Sequence, residues 1–315
     1  YNTHMTTLEI VFLSVFLIVA VTGIYLILSS EIKYLLTIKR NCVFAKFISR
    51  YTVQNTKKYK IDMSWWEKVK IEDINISSND GLKLCGYFLH KNDKKIALVI
   101  HGYGASAKEM QQYAKMFYDM DYSVLLVDNR GHGQSQGKCI TMGYYDHMDV
   151  SLWVEYVVKL YPDCQMVVFG LSMGAATACL YSGDKKPKNV KAIISDCAYS
   201  SAYNVVQNLC EQSIILNFFP SLFVYNLYLK YRAKFKLSDI DVKGAVSKCD
   251  IPILFIHGSR DKFVPFYMQE ILYKNAPQNL RQKYVAEGAS HAESLPLKGE
   301  EYINQVRQFL TKYIK

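Results

Sequence analysis

No segment of this 315-residue chain repeats at a period of about 20 to 50 residues and none is of low complexity, which sets aside solenoids and arrays. Disorder is excluded as well, because half of the residues are hydrophobic and only 21% are charged. The eight cysteines include no CxxC pair and no metal-ligand spacing, so neither a zinc module nor a cofactor is expected. Most of them lie in apolar stretches, where a free thiol behaves as a small hydrophobe, and this favours a reducing compartment. No nucleic-acid-binding motif accompanies the net charge of +10. What remains is a chain long enough for one large α/β domain with an N-terminal extension.

Charge is also missing from Ile10 to Leu28, IVFLSVFLIVAVTGIYLIL. At about 1.5 Å per residue such a run spans roughly 30 Å of hydrocarbon, which predicts a transmembrane helix over 10–28 behind a short tail, 1–9. A cleaved signal peptide would need a basic stretch before the run and an A-x-A-like site after it, and neither is present. The tail has no Lys or Arg, whereas residues 31 to 70 hold ten against three acids. The positive-inside rule then predicts a single-pass protein of the cell membrane whose C-terminal domain faces the cytoplasm. Residues 29–68 read as a basic juxtamembrane linker. Within it Ile32, Leu35, Leu36, Val43, Phe47 and Ile48 recur at roughly helical spacing, as in an interfacial helix on anionic lipid or an amphipathic helix docked on the domain. The basic balance thus points to membrane lipid as a partner rather than to nucleic acid; oligomeric state is not encoded in any pattern seen.

From residue 69 the chain reads as a domain reaching 315. VKIEDINIS (69–77) and LKLCGYFLHK (82–91) flank a Ser-Asn-Asp-Gly turn and predict a hairpin. Short apolar runs at 96–102, 122–128, 165–170, 190–196 and 251–258 then alternate with helical patterns at 107–119, 147–161 and 173–182. Such runs suit parallel strands covered on both faces. Ligands of such sheets bind at the carboxyl ends of the strands, where HGYGAS, DNRGHG, GLSMG, DCAY and HGSRD stand.

Two serines fit G-x-S-x-G: Ser135 in GQSQG and Ser172 in GLSMG. A nucleophile elbow needs a strand running directly into a tight turn and a helix, and only Ser172 has both. Four residues separate the strand ending near Asp128 from Gly133, and no helical pattern follows Ser135. Partners in the order Ser, acid, His are Asp261 in SRDKFVP and His291 in SHAES, with Asp196 as a second candidate acid. His291 would act as general base and Asp261 would orient it. The backbone N–H groups of Met173 and Tyr103 are the candidate oxyanion donors, a role that Tyr103→Phe should leave intact. His101, His132 and His257, each next to a glycine at a strand end, read as hydrogen-bonded scaffolding, and none has the partners for a metal site.

HGYG, DNRGHGQS, GLSMG, SRDKFVP and SHAES, in this order, resemble the α/β-hydrolase superfamily. The branch most similar is the bacterial serine-aminopeptidase-like and prolyl-oligopeptidase-like one, whose members often carry one N-terminal transmembrane segment. The resemblance covers residues 69 to 314. It implies an α/β-hydrolase fold, a mostly parallel doubly wound sheet with an N-terminal antiparallel hairpin. It also implies Ser172, Asp261 and His291 as a catalytic triad, Tyr103 and Met173 as an oxyanion hole, and a scaffold loop from Asp128 to Ser135. Such enzymes place a cap where this chain has an insertion, about 199–248. Its apolar side chains, Phe218, Phe219, Leu222 and Phe223 among them, are candidates to hold an acyl group. The insertion has six basic residues against three acids, whereas an aminopeptidase would want carboxylates for the substrate amine. The expected activity is therefore serine hydrolysis of esters or thioesters of moderately hydrophobic acyl groups, with small peptides or amides as the alternative. A non-catalytic, membrane-tethered binding protein is a third reading, but it would need a broken triad or elbow, and none is visible.

Overall fold

The computed structural model describes residues 5–48, 64–211 and 221–315. Eight strands form one sheet in the order β1-β2-β4-β3-β5-β6-β7-β8. They are β1 (Glu72–Ser77), β2 (Lys83–Leu89), β3 (Lys95–Ile100), β4 (Ser123–Val127), β5 (Gln165–Leu171), β6 (Val190–Asp196), β7 (Ile253–Gly258) and β8 (Arg281–Ala286). The hairpin β1/β2 is antiparallel, as is the pairing of β2 with β4, and every later pairing is parallel. This is the α/β-hydrolase fold.

The continuous apolar runs follow from burial on both faces. Ile96, Leu98 and Ile100 of β3 enter one core while Ala97 and Val99 enter the other, and β5 divides in the same way between Met166 and Val168 and between Val167 and Phe169. Helices α4 (Asp146–Leu160), α5 (Met173–Ser182), α8 (Val242–Ser247) and α9 (Tyr267–Asn275) cover the first face, through Trp153, Ala176, Val246 and Leu272 among others. The second is covered by α3 (Gln111–Asp119), α10 (Ser294–Lys298) and α11 (Glu300–Leu310), through Phe117, Leu295 and Phe309.

Helix α1 (Thr7–Thr37) begins at a capping box between Thr6 and Glu9 and runs for 31 residues without a break. It is long and apolar enough to cross a membrane, and none of residues 10–28 is buried. The stretch expected to be a linker departs from that expectation wherever it is described. Helix α1 continues through it and docks on the domain, followed by a turn and a second helix, α2, at 43–48. Ser30, Lys33, Tyr34, Ile38, Cys42 and Ala45 are the buried residues. The apolar set at helical spacing is not the docked stripe, since Ile32, Leu35, Val43 and Phe47 are exposed. The docking has specific partners that no local pattern reveals. Arg40 donates to the carbonyls of Ser135 (2.7 Å) and Gly133 (2.8 Å), and the amide of Ile140 donates to the carbonyl of Ile38.

The insertion supplies α6 (Ala202–Glu211) and α7 (Ser221–Arg232). Helix α7 packs against the docked end of α1. There Tyr225 and Thr37 share a hydrogen bond (3.0 Å), Tyr228 donates to Glu31, and the Arg232 guanidinium lies 4.4 Å from the centre of the Tyr34 ring.

Candidate active site

Ser172 stands between β5 and α5 with φ 56° and ψ −113°, a left-handed conformation that a non-glycine residue adopts only where the surroundings force it. The forcing is a close approach of backbones. A Cβ on Gly170 would lie 2.1 Å from the carbonyl oxygen of Gly174, and one on Gly174 would lie 2.3 Å from that of Ile100. The two glycines of GLSMG therefore let the turn fold onto the sheet.

The structure brings Ser172, His291 and Asp261 into one line. Ser172 Oγ lies 2.9 Å from His291 Nε2, and His291 Nδ1 lies 2.7 Å from Asp261 Oδ2. Asp261 follows β7 and His291 follows β8, so the ends of β5, β7 and β8 supply the set, with β6 lying between the first two. Asp261 Oδ1 accepts from the amides of Phe263 (3.0 Å) and Val264 (2.9 Å), which fixes the carboxylate plane. Burial raises the Asp261 carboxyl, but the neighbouring His291 and the hydrogen bonds from His257 and His291 outweigh it and hold the group far below the ordinary carboxylate range. An ionised Asp261 accepts the Nδ1 proton, leaving Nε2 free to accept from the serine hydroxyl. Asp196, the other candidate acid, accepts instead from Ser294 (3.2 Å) and Tyr302 (2.9 Å).

Gly102 packs against the serine, its position for a Cβ lying 3.3 Å from Ser172 Cβ. Among the described residues, the amides of Tyr103 and Met173 have no acceptor. For Met173 this follows from its place at the first position of α5. Two neutral histidines hold the Tyr103 loop. His101 Nε2 accepts from the Asn129 amide (3.0 Å), so its Nδ1 donates to Gly102 O (2.7 Å). His132 Nε2 accepts from the Gly104 amide (3.2 Å), so its Nδ1 donates to Arg130 O (3.1 Å). Burial depresses His101 to about 4 and, together with the nearby His101, His132 to about 3. Ser135 is fully buried; its hydroxyl donates to Asp128 O (2.7 Å) and accepts from the Cys85 amide (2.8 Å), which makes GQSQG a scaffold loop.

A cavity of about 600 Å³ opens at Ser172 and His291, within the range of small-molecule sites. Its apolar wall includes Phe47, Ile48, Met110, Leu171 and Phe263, with Glu109, Arg260 and Lys262 as its charged groups. Of the substrate-binding candidates from the insertion, the two that are described, Leu222 and Phe223, do not line the cavity. Phe218 and Phe219 lie outside the described residues. Leu222 packs against the core and Phe223 is 67% exposed. The reason is the orientation of α7, which buries Tyr225 and Leu229 and spends its packing on α1. The aromatic side chains beside the histidine come from elsewhere: Phe263 packs on His291 (4.8 Å between ring centres) and Phe44 of α2 stacks on Phe263 (6.0 Å). Three contacts at the site escaped sequence reasoning. His257 Nε2 approaches Asp261 Oδ2 (3.2 Å), Cys197 Sγ lies within 4.8 Å of the ligating atoms of Asp261 and His291, and Tyr103 OH reaches Thr37 O (2.5 Å). Only the HG before SRD hinted at the first, and nothing local hinted at the others.

Residues 91–241 match the family model described as serine aminopeptidase, S33. Among curated proteins, YqkD of Bacillus subtilis (strain 168) is 28% identical over 249 residues, covering 78% of this chain and 81% of that protein. The α/β-hydrolase domain-containing protein WAV2 of Arabidopsis thaliana is 25% identical over 254 residues, covering 77% and 79%. Among solved structures, the Pyrococcus furiosus esterase Pf2001 superposes with a TM-score of 0.65 at 21% identity, over 81% of this chain and 97% of that one. Est1E from Butyrivibrio proteoclasticus with bound ferulic acid gives 0.59 at 19%, over 76% and 99%. Fold and matches together give the chain the α/β-hydrolase fold, with sequence similarity to the serine aminopeptidase, S33, family over residues 91–241.

Proposed function

We propose that the protein is a membrane-anchored serine hydrolase that cleaves carboxylic esters or thioesters of moderately hydrophobic acyl groups. The observation that carries this reading is the hydrogen-bonded line from Ser172 through His291 to Asp261, at a serine held with positive φ beside two amides that have no acceptor among the described residues. His291 Nε2 takes the hydroxyl proton as Ser172 Oγ attacks the acyl carbon, and the tetrahedral oxyanion is met by the amides of Tyr103 and Met173. Each such donor is worth about 2.7 to 4 kcal/mol in the transition state. Collapse expels the alcohol or thiol, which takes the proton from His291. Water, deprotonated by the same nitrogen, then releases the acid and restores the serine. The apolar cavity wall favours acyl chains, and the esterases among the structural neighbours agree with that choice. In this reading α1 crosses the membrane, and the basic stretch behind it puts the domain on the cytoplasmic side.

The family model's description favours peptide hydrolysis as a second reading. A substrate α-amine would have only Glu109 to meet it in the cavity, against Arg260 and Lys262. A series of p-nitrophenyl esters of increasing chain length, beside an aminoacyl amide, separates the two. Absence of fluorophosphonate labelling on the folded protein, or equal labelling of Ser172→Ala, would refute both.

A further inference from the structure

The domain is joined to the apolar helix without slack. Leu28 closes the uncharged run and Tyr34 is already buried on the domain, six residues or about 9 Å further along an unbroken helix. A bilayer crossed by 10–28 therefore lies against the face where α1 docks. On that face Cys42, just before α2, and Ala45 within it are buried, while Val43 (67%) and Phe47 (62%) are exposed four residues apart, with Lys46 exposed beside them. Apolar side chains interleaved with an uncommitted cation are what a segment resting at a lipid surface requires. Phe47 is also part of the Ser172 cavity wall, together with Ile48. One side chain thus belongs both to the exposed stripe and to the catalytic cavity, so the cavity opens where the stripe lies.

We propose that the Val43 and Phe47 stripe rests in the headgroup boundary of the bilayer that α1 crosses, and that the substrate is a single-chain acyl ester dissolved in that bilayer, entering the cavity past Phe47. This rests on the serine-hydrolase reading above. One chain rather than two follows from the size of the cavity, which suits a single small ligand. The lipid surface is the chosen occupant because the stripe is continuous, through the docked end of α1, with the span itself.

The test uses the full chain in vesicles of phosphatidylcholine and phosphatidylglycerol. Val43 is exposed and does not line the cavity, so Val43→Asp removes only the lipid contact. Turnover of p-nitrophenyl palmitate carried in the vesicles should fall about tenfold, while that of p-nitrophenyl butyrate in the aqueous phase changes less than about twofold. Retained fluorophosphonate labelling shows that the variant has folded. Equal losses on both esters, or no loss on either, would overturn the proposal. In a second measurement, Val43→Trp should add fluorescence that brominated phosphatidylcholine quenches beyond the wild-type level; no added quenching also overturns it. Quenching reports lipid contact without any chemistry. A wild-type protein inert toward butyrate and fluorophosphonate would sink the hydrolase reading instead, and the two failures are told apart.

Discussion

The hydroxyl of Tyr103 donates to the backbone carbonyl of Thr37 across 2.5 Å and lies 3.1 Å from Cys42 Sγ. Thr37 is the last residue of α1, so its carbonyl is one of those a helix end leaves without an internal partner. A residue of the loop beside Ser172 thereby caps the long apolar helix. Gly104 reinforces the junction, since a Cβ there would lie 2.4 Å from the carbonyl oxygen of Ala45.

Tyr103→Phe keeps the backbone amide and so preserves the proposed oxyanion donor. It removes the cap, and the lost hydrogen bond costs about 1 kcal/mol. The expected result is a lower midpoint of thermal unfolding with fluorophosphonate labelling of Ser172 retained. An unchanged midpoint would show that the cap contributes nothing.

The two serines of the G-x-S-x-G matches should part company. Ser172→Ala removes the proposed nucleophile, and ester turnover and labelling should vanish while the fold stays. Ser135→Ala strips the Asp128 carbonyl and the Cys85 amide of a buried partner, costing about 1 to 3 kcal/mol of stability. Labelling at Ser172 should persist in that variant; its loss would mean that GQSQG does more than scaffold the site.

Much of this was legible in the sequence because the physics is local. Apolar runs such as 96–100 and 165–171 follow from burial on two faces of a strand, and β8 coincides with the run RQKYVA. GLSMG is readable because close backbone approach admits only glycine at 170 and 174. The docking of residues 30–45 was not legible. Its partners Tyr103 and Tyr225 stand 66 and 188 positions away from Thr37, and the stripe that docks is less apolar than the one left outside. For the same reason the aromatic crowding of the insertion suggested a pocket wall at Leu222 and Phe223, while the wall near Ser172 comes in part from Phe47 and Ile48.

The elbow glycines allow a sharp contrast. Gly174→Ala would drive a Cβ to 2.3 Å from Ile100 O and 2.6 Å from His101 O, both backbone atoms of the sheet that cannot swing aside. The turn must open, and labelling of Ser172 should be lost together with much of the folded yield. Gly23→Ala, with nothing within 4 Å, should leave both unchanged. Normal labelling of Gly174→Ala would show that the elbow tolerates displacement.

Acid should destabilise the domain through the histidines that hold the Tyr103 loop. His101 and His132 are depressed from the ordinary 6.5 to about 4 and about 3, chiefly by burial. Their ring centres are 4.9 Å apart, so protonating both adds repulsion. A base depressed on folding contributes stability above its unfolded value that is lost as pH falls toward its folded value, because the unfolded chain binds the proton first. Asp196 and Asp149 oppose this: burial raises each from 3.8 to about 6, so the folded state takes up their protons first on acidification. Each histidine, depressed to about 4 or lower, outweighs one such carboxyl, and the four groups together leave a net loss of about 1 kcal/mol between pH 7 and pH 5. Denaturant unfolding of the protein in detergent at the two pH values measures it. Equal or greater stability at pH 5 would mean that the two rings are charged in the folded state, and that the tautomers which orient Gly102 and Gly104 are not the ones assigned.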